Sequence, residues 1–189
     1  MFALRRPAVA ASSARPAAAA AAATARGFHR SPRPLVQVGD ALPDVQLMEG
    51  SPGNRVSLAE ELGRGRGVVV GVPAAYSPSC SESHVPGYIN SPKLKDAGRV
   101  FVVSVNDPFV MKAWAKVLDP SGSSGIRFLA DPALAFTDGL DLAFDGSGIF
   151  GGRRGKRYAL VVEDGKVKEA HVEPDNTGMS VSTADKVLK

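Results

Sequence analysis

Cysteine is almost missing from this chain, which has one, Cys80, in 189 residues. A single thiol excludes an internal disulfide framework, a Cys-x-x-Cys redox pair and a multi-thiolate zinc site. Histidine is scarce as well, with His29, His84 and His171 only, so a histidine-built metal centre is not expected. No stretch of about 18 apolar residues runs without a charge, which argues against a transmembrane helix. Acidic side chains are absent until Asp40, whereas residues 1–34 hold six arginines. The remaining residues carry 17 basic against 19 acidic groups, so the formal charge of +4 belongs to the N-terminal segment. A basic nucleic-acid-binding body is therefore not supported.

That first segment also contains 13 alanines with Ser12, Ser13, Thr24 and Ser31. Arg-rich, acid-free, Ala/Ser-rich composition is that of an organellar transit peptide. Arg26-Gly27-Phe28 resembles a mitochondrial processing site. The expected organisation is a presequence over residues 1–28, a linker over 29–35 and one domain over 36–189. About 160 residues suffice for a single core. Mitochondrial delivery, to the matrix, is expected, with plastid as the alternative.

Within the body, residues 36–46 read as short and extended. A Gly/Asn turn at residues 50–54 leads to Arg55-Val-Ser57 as the second arm of a hairpin. Ser57-Leu-Ala-Glu60 fits a capping box. Residues 67–72 are apolar and β-branched, the pattern of a strand buried on both faces, and Pro73 ends it. Ser79-Cys-Ser-Glu82 matches a second capping box, with a helix towards Asn90 kinked or broken by Pro86. Residues 100–105 read as another buried strand. Asp107-Pro108 starts a helix through Met111, Trp114, Ala115 and Leu118. Residues 121–125 read as a flexible loop, 127–130 as a strand, and Asp131-Pro132 as another helix start. Asp164-Gly165 between two β-rich runs predicts a hairpin. A final helix is expected from Ser182. Strands alternating with helices, then a terminal hairpin, indicate an α/β domain with a mixed sheet.

Cys80 falls where a strand gives way to a helix. Unpaired N–H groups and the helix dipole there favour a thiolate. An inert buried cysteine is the competing interpretation. The segment from Gly71 to Tyr88 resembles the active-site segment of peroxiredoxins, with Pro73, Ser77 and Cys80 in the pattern Pro-x-x-x-Thr/Ser-x-x-Cys. His84-Val-Pro-Gly87 is similar to the type-five (plant and fungal type II) subfamily. Ser104-Val-Asn-Asp107, Leu129-Ala-Asp-Pro132, Ile149-Phe-Gly151 with Arg153-Arg154, Lys156-Arg157-Tyr158 and Val172-Glu-Pro-Asp175 extend the resemblance over residues 36–189.

The resemblance implies a thioredoxin-like fold, a central mixed β-sheet flanked by helices. It implies that Cys80 is the peroxidatic nucleophile and that the Ser77 hydroxyl hydrogen-bonds thiolate and peroxide. Pro73 would shield the sulfur from water, and Arg157 would pair with the thiolate and stabilise charge on the leaving oxygen. Substrates would be hydrogen peroxide and alkyl hydroperoxides, with no metal, haem or flavin cofactor. Some members carry a resolving cysteine after Glu-Pro-Asp; here Val181 stands at about that place. The sulfenic acid would then be met by glutathione, glutaredoxin or thioredoxin, in a one-Cys mechanism prone to overoxidation. A homodimer is expected. The family usually has Gly-Ala-Phe where this chain has Ala74-Ala75-Tyr76.

Two other readings stay open: a non-catalytic peroxide sensor whose oxidised cysteine is read by a partner, and a scaffold with a dead site. Gly146-Ser-Gly-Ile-Phe-Gly151 matches G-x-G-x-x-G without a convincing preceding strand or following helix, so it reads as a flexible loop positioning Arg157. His84 and His171 read as structural, and Phe109, Met111 and Trp114 as core or interface packing.

Overall fold

The apolar run after Gly67 becomes the middle of a seven-stranded mixed sheet. This is seen in a computed structural model that describes residues 35–189; the expected presequence and residues 29–34 of the linker lie outside the described residues. Residues 35–189 fall within one compact unit. The large sheet is built from β1 (Gln46–Glu49), β2 (Arg55–Ser57), β3 (Arg66–Gly71), β4 (Arg99–Ser104), β5 (Arg127–Ala130), β8 (Tyr158–Glu163) and β9 (Lys166–Val172). Their spatial order is β2-β1-β5-β4-β3-β8-β9. Strands β3, β4 and β5 run parallel, while β1, β8 and β9 pair antiparallel with their neighbours. A separate two-stranded sheet joins β6 (Ala143–Asp145) and β7 (Arg153–Gly155).

Unbroken apolar runs in β3 and β4 make sense because helices and loops cover both faces of the sheet. Side chains alternate across a strand. Val68, Val70 and Val102 join a core with Cys80, Tyr88, Trp114 and Phe128. Val69, Phe101 and Val103 join the opposite core with Leu62, Phe136 and Leu160. The β8–β9 hairpin turns through Asp164 and Gly165, both at positive φ (49° and 74°), the conformation an Asp-Gly pair favours.

Helix starts are legible where a side chain caps locally. Ser57 accepts from the Glu60 amide to begin α1 (Leu58–Glu61). Asp107 accepts from the amides of Phe109 and Val110 to begin α3 (Pro108–Leu118). The last helix, α6 (Ala184–Val187), begins two residues after Ser182, and Thr183 before it makes no side-chain capping bond.

Several expectations need correction. Residues 36–45 are not a strand; β1 begins at Gln46, where pairing with both β2 and β5 becomes available. Ser79 makes no capping bond. The chain instead enters a π-helical segment, Ser79–His84, which passes directly into α2 (Val85–Ile89). Pro86 has no N–H to return to the carbonyl four residues back, and its ring would crowd that carbonyl. A wider turn relieves both, and the Val85 amide reaches back five residues to the Cys80 carbonyl. Asp131-Pro132 does not start a helix. The chain first turns at Leu134 (φ 58°), and α4 spans Ala135–Gly139. The Asp131 carboxylate then reaches across to the amides of Phe136 and Thr137 and to the Thr137 hydroxyl.

Residues 121–125 are organised by Asp119, which accepts from the Ser121 hydroxyl and the amides of Ser123 and Ser124. The Gly146–Gly151 stretch does have a three-residue strand before it, and it contains one helical turn, α5 (Ser147–Phe150). That turn connects an antiparallel hairpin rather than a βαβ crossover, so it lacks the dinucleotide-site context. Met111 and Trp114 are buried as expected, but Phe109 is 64% exposed and is not core.

Candidate active site

Cys80 is the second residue of the helical segment that follows β3, and its side chain is fully buried (0% exposed). β3 lies in the sheet between β4 and β8. The pairing of Gly71 with Tyr158 brings the start of β8 beside the end of β3. Arg157 immediately precedes β8, so sheet register carries it towards a cysteine 77 positions earlier. Its Nη1 donates to Cys80 Sγ at 3.3 Å. Arg157 is itself only 2% exposed. Away from bulk water, a guanidinium stabilises negative charge on sulfur or on a departing oxygen far better than on the surface.

Arg157 is held on three further sides. Its amide donates to the Asn176 carbonyl (2.6 Å) and its carbonyl accepts from the Glu173 amide (3.0 Å). Its Nε donates to the Thr177 carbonyl at 3.0 Å.

The other expected residues are less simply placed. Pro73 is buried in the turn leaving β3. The Ser77 hydroxyl donates to the Ala74 carbonyl at 3.0 Å and makes no hydrogen bond to the thiol. A thiol sulfur is a weak acceptor and does not compete with a nearby carbonyl. The structure thus brings Cys80 and Arg157 together, while the Ser77 hydroxyl is bonded to Ala74. Tyr76, in the departure from the usual family pattern, sits at φ 62° and is half exposed, its ring centroid 6.4 Å from that of Trp114.

Several supporting residues were not assigned from sequence. Asn106 Oδ1 accepts from the Ala75 amide and the Ser104 hydroxyl, tying the active-site turn to the end of β4. Trp114 Nε1 donates to Ser81 Oγ, next to Cys80. Glu173 is fully buried and accepts five hydrogen bonds from Ser180, Val181 and Ser182. Burial works against its charge, but the bonds from Ser180 and Ser182 outweigh it and hold the carboxyl at about 2. The signal available was an acid between Val172 and Pro174, followed by a serine-rich stretch.

His84 is structural, as expected. It is 2% exposed and its Nε2 lies 2.9 Å from the Ser182 carbonyl. A carbonyl only accepts, so the network assigns the proton to Nε2. Its Nδ1 is buried with no hydrogen-bond partner among the described residues. Burial, assisted by the Arg157 charge, lowers the imidazole from 6.5 to about 4 and keeps it neutral. A Cys–His dyad is therefore not assembled: His84 turns to Ser182, while Cys80 turns to Arg157. His171 pairs with Glu169 on β9.

A buried thiol, a fixed guanidinium and a water-poor setting suit nucleophilic attack on an O–O bond, with charge developing on the leaving oxygen. Comparison with known proteins agrees. The Redoxin family pattern matches residues 37–188. The chain is 45% identical over 157 residues to Peroxisomal membrane associated protein 20 of Schizosaccharomyces pombe, covering 82% of this chain and 98% of that one. It is 41% identical over 160 residues to Peroxiredoxin-2C of Oryza sativa, covering 82% and 97%. Among solved structures, it is similar to reduced Prx3 of Vibrio vulnificus in complex with H2O2. That match has a TM-score of 0.75 and 35% identity, covering 82% of this chain and 94% of that one. With that agreement along the whole described body, the chain belongs to the Redoxin family, as a peroxiredoxin of thioredoxin-like fold, a thiol-dependent peroxidase.

Proposed function

We propose that the chain reduces hydrogen peroxide and organic hydroperoxides through Cys80 and is regenerated by an external thiol. The contact between Arg157 Nη1 and Cys80 Sγ at 3.3 Å, inside a buried site, carries this reading. The thiolate attacks one peroxide oxygen, an S–O bond forms as the O–O bond breaks, and the other oxygen leaves with a proton as water or alcohol. Arg157 meets the charge on the leaving oxygen. The product is a sulfenic acid on Cys80.

Cys80 is the chain's one cysteine, so no internal disulfide can form. A first external thiol displaces water to give a mixed disulfide. A second thiol releases the reduced enzyme and an oxidised dithiol, which balances the two electrons given to peroxide. Glutathione with glutaredoxin, or thioredoxin, has the required chemistry. The role is antioxidant defence and redox homeostasis. Residues 1–34, rich in arginine and alanine and free of acids, support delivery to the mitochondrial matrix. Exposed Tyr76 and Phe109 support burial against a second copy in a homodimer.

The test is single-turnover oxidation of the reduced protein by one equivalent of hydrogen peroxide, with intact mass read with and without glutathione. Fast oxidation that is lost in Cys80→Ser, followed by a glutathione adduct, is the expected result. Oxidation no faster than that of a free thiol refutes the peroxidase reading. Fast oxidation with no turnover on any of these reductants favours a sensor.

A further inference from the structure

We propose that Glu173 is a positioning residue for the peroxidase reaction: it folds residues 176–182 into the brace that holds the Arg157 guanidinium against Cys80. This rests on the peroxidase reading of Cys80 and Arg157. Two of the groups that fix Arg157, the carbonyls of Asn176 and Thr177, belong to an irregular stretch after β9. No strand or helix ladder orients those carbonyls.

The Glu173 carboxylate supplies the missing order. Its Oε1 accepts from three successive amides, Ser180 (2.8 Å), Val181 (2.9 Å) and Ser182 (2.9 Å), and from the Ser182 hydroxyl (2.7 Å). Its Oε2 accepts from the Ser180 hydroxyl at 2.7 Å. The stretch is thus closed into a loop around one buried anion, a concave arrangement of amides that suits a carboxylate. Within it, the Asn176 amide returns to the Glu173 carbonyl and the Gly178 amide to Asp175 Oδ1.

The same loop is anchored to the helix that carries Cys80. The Ser182 carbonyl takes hydrogen bonds from His84 Nε2 and from the Tyr88 hydroxyl (2.6 Å). One brace therefore touches both partners of the 3.3 Å contact: the arginine through Asn176, which takes its backbone amide, and Thr177, which takes its guanidinium Nε, and the cysteine helix through Ser182. No salt bridge joins the Glu173 and Arg157 side chains among the described residues, so Glu173 acts through the loop and not as a counter-ion.

The experiment uses the full chain as wild type, Glu173→Ala and Glu173→Gln. Two readouts are taken: the rate of Cys80 oxidation by hydrogen peroxide, and the ultraviolet absorbance of the thiolate across pH. Glu173→Ala frees the loop, so the guanidinium loses its fixed place. Oxidation is expected to slow about 10- to 100-fold, somewhat less than for outright removal of a charge-stabilising donor. The thiolate profile is expected to move to higher pH. Glu173→Gln keeps one acceptor oxygen for the three amides and is expected to restore most of both. If Glu173→Ala does not fold, the double variant Ser180→Ala/Ser182→Ala, which removes two of the five donors, is judged on the same readouts.

A folded variant with wild-type rate and profile overturns the proposal. So does a slowed rate with an unmoved profile, which marks general loosening. A profile moving to lower pH overturns it too, because it shows Glu173 acting as a bare negative charge near the sulfur. If wild-type Cys80 itself oxidises slowly, the peroxidase reading fails, and the thiolate profiles still decide whether Glu173 places Arg157.

Discussion

Acid should weaken this fold through one buried imidazole, before the lowered carboxylates respond. Burial lowers His84 from 6.5 to about 4, with the Arg157 cation adding to the effect and the Ser182 carbonyl and Glu173 opposing it. The unfolded chain therefore binds a proton at His84 more readily than the folded chain. Stability from this residue is complete above pH 6.5, falls as pH drops, and levels off below about pH 4. The full difference is worth about 3 kcal/mol, of which about 2 kcal/mol is lost between pH 7 and pH 5.

The perturbation is His84→Gln, whose side-chain amide can still donate to the Ser182 carbonyl. At pH 7 the variant should cost about 1 kcal/mol for imperfect packing and one altered hydrogen bond. Urea unfolding is followed by the fluorescence of Trp114, the single tryptophan, which is buried. Wild type should lose about 2 kcal/mol more than the variant on going from pH 7 to pH 5. Glu61, Asp119, Glu169 and Glu173 are all lowered in the fold, so they act further to acid. They and the raised Asp131 are common to both proteins and cancel in the difference. Parallel losses in wild type and variant would refute the reasoning.

Other substitutions test other parts of the argument. Arg157→Met removes the donor at Cys80 Sγ and should slow oxidation by hydrogen peroxide about 10²- to 10³-fold; a fall under tenfold in stopped-flow kinetics would contradict the assigned role. Gly98→Ala should cost about 3 kcal/mol, because φ is 75° and a Cβ would lie 2.0 Å from the Arg66 carbonyl oxygen. Gly122→Ala, also at positive φ but with open space around it, should cost only about 1 kcal/mol by the same denaturation assay. Asp107→Ala removes the acceptor for the Phe109 and Val110 amides and should cost about 1 kcal/mol, with Asp107→Asn restoring most of it.

Elements whose cause is local were readable from the chain itself. The caps at Ser57 and Asp107, the Asp-Gly turn and the buried valine strands each depend on a few adjacent residues, and each appears where expected. The hydrogen bonding of residues 121–125 was not legible, because Asp119 reaches forward to them from outside the stretch. The apparent capping box at Ser79 failed because Pro86, seven residues later, decides the helix type. Phe109 fits helical spacing for a core position, yet only packing settles which side of a helix faces the sheet, and this residue faces out.

Sequence alone determined that any thiol chemistry must rest on one cysteine and that no second cysteine can resolve it, because composition is complete information about which groups exist. It placed Cys80 near a helix start for a local reason, the strand-ending proline before it. Tertiary structure alone decided that Arg157 meets that thiol, since the contact spans 77 positions and depends on β8 pairing with β3. It also decided that Ser77 bonds to Ala74 and that a buried glutamate orders the loop behind Arg157. Those outcomes depend on which carbonyls and amides remain unpaired once the sheet has formed, and residue spacing does not encode that.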